Sequence, residues 1–188
     1  DESQNAETMG IRDTETVDAA RPGENHRIVE QTKYRTTTGR DSMSKELTEK
    51  ISRVTGRYSV SCDCPRCRRQ CLTPCLGTPE DIWRLIEAGY EERLRITFWA
   101  VGMLVGAIPF PILMVQALQT ERGCIFWKNG LCELHDLNLK PTEGRLSYHI
   151  LTEESICFSK SLSWNVAKEW VNVENIPLIT RILQRMAK

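Results

Sequence analysis

Hydrophobic side chains are nearly absent from the first part of the chain. Residues 1–42 are rich in Glu, Thr, Asp, Asn and Arg and carry almost no large apolar residues. Such a segment cannot bury enough surface to offset the conformational entropy that ordering costs. We therefore predict a disordered polar extension over residues 1–42 and a folded domain over residues 43–188.

Within the domain, several stretches show apolar residues at helical spacing. The clearest begins at Thr78, an N-cap residue followed by Pro79 and two acidic residues, and Gly89 is well placed to end it. Ser44 can cap an earlier helix that Gly56 stops, and Ser163 can cap a later one. Helices are predicted over residues 44–54, 79–88, 91–98, 163–171 and 176–186.

Two other stretches have the pattern of strands. Residues 108–115 are apolar and contain two prolines, which predicts an extended, buried segment at an edge. Further along, two short apolar runs flank Asn129-Gly130, the strongest short signal for a β-hairpin. In that hairpin Cys124 and Cys132 would lie on facing strands. Residues 136–149 are predicted to form a loop.

These elements predict a small single α+β domain with a cysteine-rich loop, a short antiparallel β-hairpin and flanking helices. The 188 residues suit one core with a tail, and the 25 basic residues balance the 25 acidic ones. Balanced charge gives no field that would attract nucleic acid or an anionic membrane. No secretory signal and no run of about 18 apolar residues is visible. We expect a cytoplasmic protein with neither nucleic acid nor membrane as a partner.

Cysteines supply the candidate chemistry. Five of the eight lie within the fourteen residues from Cys62 to Cys75, in the segment SCDCPRCRRQCLTPC. Their spacing is C-x-C-x2-C-x3-C-x3-C. Thiolates this close repel one another unless a soft cation neutralises them, and zinc and iron are the usual occupants. A cytoplasmic location also favours metal over disulfides. The predicted metal ligands are Cys62, Cys64, Cys67, Cys71, Cys75, Cys124, Cys132, His135 and His149.

These candidates exceed one tetrahedral shell of four ligands. The surplus predicts two sites, a polynuclear site such as an iron–sulfur cluster, or cysteines that are only structural. Reduced buried cysteines and disulfides remain alternatives, in which Cys124 and Cys132 are ordinary hairpin residues. Cys157 is expected to lie in the core. Three arginines between the cysteines should offset thiolate charge or form a small anion-binding surface: Arg66, Arg68 and Arg69.

Three separated blocks carry a resemblance to a known family. In order they are SCDCPRCRRQCLTPC, GTPEDIWRLIEAGY and GCIFWKNGLCELHDLNLKPTEGR. From Cys62 to His149 the chain resembles the bacterial CxxCxxCC (YkgJ-type) zinc- or iron-chelating domain family. The adjacent cysteine pair of that family is missing here, and no cysteine follows Lys140-Pro141 before Cys157. The resemblance implies chelation of zinc or iron, and some relatives are linked to methylation of protein lysines.

The sequence therefore predicts a metal-binding protein that chelates zinc or iron, with an iron–sulfur site included among the possibilities. One alternative is a metal-dependent redox or group-transfer enzyme that acts on a protein substrate. Another is a module that metal folds for interaction with a protein partner. The sequence contains no Ser-His-Asp grouping, phosphate-binding Gly loop or H-E-x-x-H helix that would indicate a hydrolase or a nucleotide enzyme.

Overall fold

A computed structural model describes residues 38–60, 62, 64–149 and 157–188. Most of the predicted extension, residues 1–37, lies outside the described residues. The α-helices are α1 (Thr38–Thr55), α2 (Pro65–Gln70), α3 (Pro79–Glu87), α4 (Val101–Leu104), α5 (Thr142–Leu146), α6 (Leu162–Ala167) and α7 (Ile176–Met186). The strands are β1 (Leu94–Trp99), β2 (Ile112–Ala117), β3 (Gln119–Thr120), β4 (Gly123–Cys124), β5 (Trp127–Lys128) and β6 (Leu131–Cys132).

Helices and short antiparallel strand pairs together make a small α+β domain, as predicted. The strands form three separate two-stranded sheets, β1–β2, β3–β4 and β5–β6. Helix α1 begins at Thr38, ahead of the predicted start at Ser44, and ends before Gly56, whose φ of 68° suits a glycine. Helix α7 covers the predicted range, with a proline in its first turn.

Helix α3 begins where the sequence predicts. The Thr78 side chain accepts a hydrogen bond from the Asp81 backbone N–H (3.2 Å), and the Asp81 carboxylate accepts one from the Thr78 N–H (3.0 Å). This reciprocal pair satisfies two of the backbone donors that a helix start leaves free. The chain leaves the helix through Gly89, whose φ is 81°. The segment between Cys75 and α3 is thereby fixed against a well-defined helix start.

The helix predicted over residues 91–98 is wrong. Residues Glu91–Arg93 form one 3₁₀ turn and are followed by β1, which pairs antiparallel with β2 from Leu94↔Ala117 to Trp99↔Ile112. Apolar residues four apart also satisfy the period-two pattern of a strand, and pairing with β2 decides between the two. The predicted extended segment 108–115 is confirmed only in its second half, since β2 begins at Ile112.

The hairpin at Asn129-Gly130 is confirmed, but Cys124 and Cys132 do not face each other. Both turn residues have positive φ, 51° and 84°, and each strand is only two residues long. Cys132 pairs with Trp127, whereas Cys124 belongs to β4 and pairs with Gln119. Because the hairpin strands are so short, the earlier cysteine falls in a different hairpin.

Two further predictions need correction. Residues 142–146, predicted to be loop, form helix α5. The helix expected to be capped by Ser163 is α6, which begins at Leu162 and has Ser161 as its N-cap. A 3₁₀ turn, Lys168–Trp170, follows it.

The core lies between α3, α7 and the β1–β2 sheet, with α6 and α5 packed beside them. Leu85, Ile112, Val166 and Ile182 are fully buried there. The Trp170 indole N–H donates to the Gly77 carbonyl (2.8 Å), which ties this side of the core to the segment after the last clustered cysteine. Across the described ranges, no helix has the length and apolar composition that crossing a membrane requires.

Candidate metal centre

Four predicted ligands lie close together at one end of α2. The Sγ atoms of Cys64 and Cys67 are each 3.4 Å from Nδ1 of His149. The Sγ atom of Cys62 is 3.6 Å from the same nitrogen. All four ligand atoms are within 4.8 Å of one another, and no other set of three or more His, Cys, Asp or Glu side chains in the described residues is so close. We call these four residues the histidine-centred group.

Local structure explains why two of the thiols converge. The sequence predicts a loop through the clustered cysteines, but residues 65–70 form α2. Cys64 is the N-cap of this helix, and Pro65 occupies the first helical position, where its missing N–H costs nothing. Cys67 lies one turn into the helix, so its side chain and that of the N-cap residue are on the same side.

The contacts of His149 cannot all be hydrogen bonds. An imidazole Nδ1 carries at most one hydrogen, yet three sulfur atoms lie within 3.6 Å of it. Tetrahedral zinc, with bonds of about 2.3 Å to sulfur and about 2.0–2.1 Å to nitrogen, would separate its sulfur and nitrogen ligands by about 3.5 Å. The observed separations have this value. The arrangement is therefore compatible with metal binding.

The two thiols on α2 have opposite electrostatic environments. The backbone N–H of Cys67, with smaller contributions from the Cys62 and Cys67 thiols and the Arg66 N–H, lowers the pKa of Cys64 to about 6. Desolvation and the neighbouring Cys62 thiol raise the pKa of Cys67 to about 11. Cys64 is therefore a thiolate near neutral pH and is ready to bind a cation, whereas Cys67 releases a proton when it does so.

The other four clustered or hairpin cysteines approach one another beyond the C-terminal end of α2. Cys71 caps that end, and the neighbouring Cys132 thiol lowers its pKa. Cys124 is held close by its backbone, since its N–H donates to the Leu72 carbonyl (2.8 Å). We call Cys71, Cys75, Cys124 and Cys132 the four-cysteine set.

The charge at Cys71 dominates this set. The hydrogen bond from Cys132 and the nearby Lys140 ammonium lower the pKa of Cys71 to about 6, against the opposing effect of burial. The same hydrogen bond, followed by burial, raises the pKa of Cys132. Burial first, and also the charge at Cys71, raise the pKa values of Cys75 and Cys124. The four thiols are thus electrostatically coupled through one thiolate.

Two of the remaining predictions fall outside both groups. His135 is exposed, and its charge helps to lower the pKa of Cys71, but its ring is not among the ligand atoms that converge. Cys157 is exposed and contacts the Ser159 hydroxyl (3.1 Å), so the prediction that it lies in the core is wrong.

Arg66, Arg68 and Arg69 are all exposed. The last two line a cavity of about 520 Å³ with Pro65, Trp127 and Gly130.

Sequence reasoning did not single out two charged residues beside the four-cysteine set. Lys140 is close enough to Cys71 to lower the pKa of its thiol, and Glu143 accepts from the Leu76 N–H (2.5 Å) next to Cys75. Both belong to the KPTEGR segment, whose Lys-Pro pair carries part of the family resemblance. Because this segment was predicted to be a loop, nothing in the sequence indicated that it packs against the cysteines.

Comparisons of the chain with models of known families, with curated proteins and with solved structures find no match. The resemblance to the YkgJ-type family therefore stays a prediction. What the described residues establish is a cysteine-rich α+β domain with a group of three thiols and one imidazole that could hold a metal ion.

Proposed function

We propose that the protein binds one zinc ion through Cys62, Cys64, Cys67 and His149, with iron as the second choice. The convergence of three sulfur atoms on one imidazole nitrogen, at 3.4–3.6 Å, carries this proposal. Three thiolates and one imidazole form a donor set that structural zinc sites use. The cytoplasm, where thiols stay reduced, is the location that fits this chemistry.

A structural role is the one that the ligand count favours. Four protein ligands fill a tetrahedral shell, so no position is left for water or substrate. The ion would join α2 to a residue 82 positions beyond Cys67. This cross-link adds the free energy of metal binding to that of folding. A redox or group-transfer enzyme would instead need an open or exchangeable position.

Elemental analysis of protein purified without oxygen tests the proposal. We expect zinc, no visible colour, and loss of one zinc per chain in His149→Gln. Since outer-shell changes alone cost about 10–100-fold in metal affinity, loss of this ligand should weaken binding at the centre by at least about 100-fold. Cys157→Ser is the matched control and should retain all of its metal. Brown protein that contains iron and acid-labile sulfide would show that the site holds an iron–sulfur cluster instead of zinc. Unchanged zinc in His149→Gln would refute the site.

A metal-folded interaction module is a second candidate, and an exposed apolar surface favours it. The chain has no charged residue between Arg95 and Glu121. On β1, β2 and the connection between them, eight large apolar side chains are exposed: Ile96, Phe98, Val101, Met103, Leu104, Val105, Phe110 and Leu113. We call these residues the apolar hairpin surface. Concentrated exposed apolar surface of this kind is typical of sites that contact another molecule.

Two matched variants test this candidate. Leu104→Glu places a charge on the apolar hairpin surface, where the leucine is 77% exposed, and Leu137→Glu does so at a 52% exposed leucine elsewhere. A protein that copurifies stoichiometrically with the wild type should be lost from Leu104→Glu and retained by Leu137→Glu. Retention by both variants would contradict the interaction module.

A further inference from the structure

We propose that Cys71, Cys75, Cys124 and Cys132 form a second metal centre, in which four thiolates bind a soft divalent cation such as zinc. This centre is additional to the histidine-centred group and uses none of its ligands. It therefore predicts two metal ions per chain, one held by three sulfurs and a nitrogen and one held by four sulfurs.

The backbone brings the four cysteines together from three separate segments. Cys71 and Cys75 flank the turn that follows α2, and β4 is hydrogen-bonded to that turn through the Cys124 N–H and the Leu72 carbonyl. Cys132 reaches the same region from β6, and its thiol is close enough to that of Cys71 to lower the pKa of Cys71. Segments this distant in sequence seldom converge on four thiols without a shared purpose, and a tetrathiolate shell is a common one in zinc sites.

Two glycines make room for this approach. At Gly123 an added Cβ would be 3.0 Å from a Leu72 methyl group and 3.1 Å from the Leu72 carbonyl oxygen, so a side chain there would push β4 away from the turn. At Gly144 in α5 an added Cβ would lie 2.7 Å from the Cys75 Sγ. Both positions at which the backbone approaches these cysteines therefore lack a side chain.

The surroundings also suit a shell with net negative charge. Four thiolates around a divalent cation carry a charge of −2, which needs compensation in a partly buried site. The Lys140 ammonium lowers the pKa of Cys71, and Lys140 lies against the same glycine as Cys75. Glu143 is turned toward backbone and hydroxyl groups, accepting from the Leu76 N–H and the Ser163 hydroxyl. A cation is thus placed beside the thiolates; the Glu143 carboxylate, which also raises the pKa of Cys75, accepts these two hydrogen bonds.

The thiols of this set are farther apart than those of the histidine-centred group. No three of them are all within 4.8 Å of one another, so metal binding includes a rotation of side chains that draws them together. Cys124 and Cys132 pack against the hydrophobic core, which limits the movement to short distances. We expect the second centre to close on its metal, while the first has its ligand spacing before metal binds.

Cobalt titration of the reduced, metal-free full-length protein tests the proposal. Thiolate-to-cobalt charge-transfer absorption grows with the number of Co–S bonds. The wild type should bind two Co²⁺ ions. Cys62→Ser/Cys64→Ser should retain one ion with four Co–S bonds, and Cys71→Ser/Cys132→Ser one ion with three. Cys157→Ser should bind two. A wild type that saturates at one ion overturns the second centre, and so does an unchanged stoichiometry in Cys71→Ser/Cys132→Ser.

Alkylation of the wild type covers the case in which a double variant fails to fold. In zinc-loaded protein, mass spectrometry should find Cys71, Cys75, Cys124 and Cys132 protected and the exposed Cys157 modified. Alkylation of the four at the rate of Cys157 would refute the second centre, as would a Cys71–Cys132 disulfide in protein purified without oxygen. Alkylation of Cys62, Cys64 and Cys67 in the same sample would instead show that the histidine-centred group does not bind zinc.

Discussion

The three thiols of the histidine-centred group lie around the Nδ1 atom of His149. Three sulfur atoms lie within 3.6 Å of it, although a neutral imidazole can satisfy only one of them by hydrogen bonding. The sequence identified all four residues as candidate ligands from their chemistry alone. It could not separate them from the five other candidates, because that division depends on which side of α2 each side chain reaches.

The thiolate character of Cys64 leads to a prediction about pH. Its pKa falls from 9.0 to about 6 on folding, mainly because the Cys67 backbone N–H donates to it. A thiolate with a lowered pKa stabilises the metal-free fold fully above pH 9.0, and this contribution is lost as the pH falls through about 6. Alkylation of Cys64 in metal-free Cys71→Ser, followed by mass spectrometry, should show its inflection near pH 6. An inflection near pH 9 would disprove the assignment.

At the scale of elements, the helices with strong local signals and the hairpin at Asn129-Gly130 were predictable, whereas β1 and the strand that contains Cys124 were not. Thr78, Pro79 and Gly89 supply start and stop signals that depend only on neighbouring residues, and α3 has the predicted ends. Segment β1 offered apolar residues at both helical and strand spacing, and only its pairing with β2 decides the outcome. Cys124 was misplaced for a similar reason, since its partner Gln119 lies outside the hairpin that Asn129-Gly130 defines.

The start of α3 also joins the helix to α5, through Asp81. The Asp81 carboxylate is 2% exposed, accepts from the Thr142 N–H (2.8 Å), and forms an ion pair with Arg145 (3.0 Å). Its oxygens are occupied by groups of the two helices, so the role of Asp81 is structural. Through α5 it fixes the segment that leads to the candidate ligand His149.

We expect Asp81→Ala to lower the free energy of unfolding by about 3–5 kcal/mol, because it leaves Arg145 unpaired in a mostly buried position. Thr78→Ala removes one capping bond and should cost about 1 kcal/mol. Glu92→Ala, at an exposed position, is the control and should stay within about 0.5 kcal/mol of the wild type. Urea denaturation of the metal-loaded protein measures all three. A cost for Asp81→Ala no larger than that for Thr78→Ala would contradict the linking role.

For the whole molecule, the candidate ligands span the chain from residue 62 to residue 149. Composition and spacing were enough to predict an α+β domain with a metal-binding chemistry. The grouping of the ligands was beyond such reasoning, because it requires α5 to bring His149 back to α2 and β4 to lie along the turn after Cys71. Those contacts are tertiary, and no local pattern specifies them.

Metal binding at distant ligands should make stability depend on metal concentration. A ligand present at about 1,000 times its Kd stabilises the folded state by about 4 kcal/mol per site. For a chain of this size, removal of one such ion should lower Tm by about 8–16 °C. A chelator should produce at least this shift in the wild type and in Cys157→Ser, because it removes the ions of both proposed centres, and a smaller shift in His149→Gln. Equal Tm values with and without chelator in the wild type would contradict metal-dependent folding.

Zinc K-edge X-ray absorption on the Cys71→Ser/Cys132→Ser variant tests the central claim most directly. With the four-cysteine set disabled, the signal reports only the ion at Cys62, Cys64, Cys67 and His149. The account predicts three sulfur atoms at about 2.3 Å and one nitrogen at about 2.0–2.1 Å. A shell made only of oxygen and nitrogen, or a variant that binds no zinc while folding normally, would contradict it.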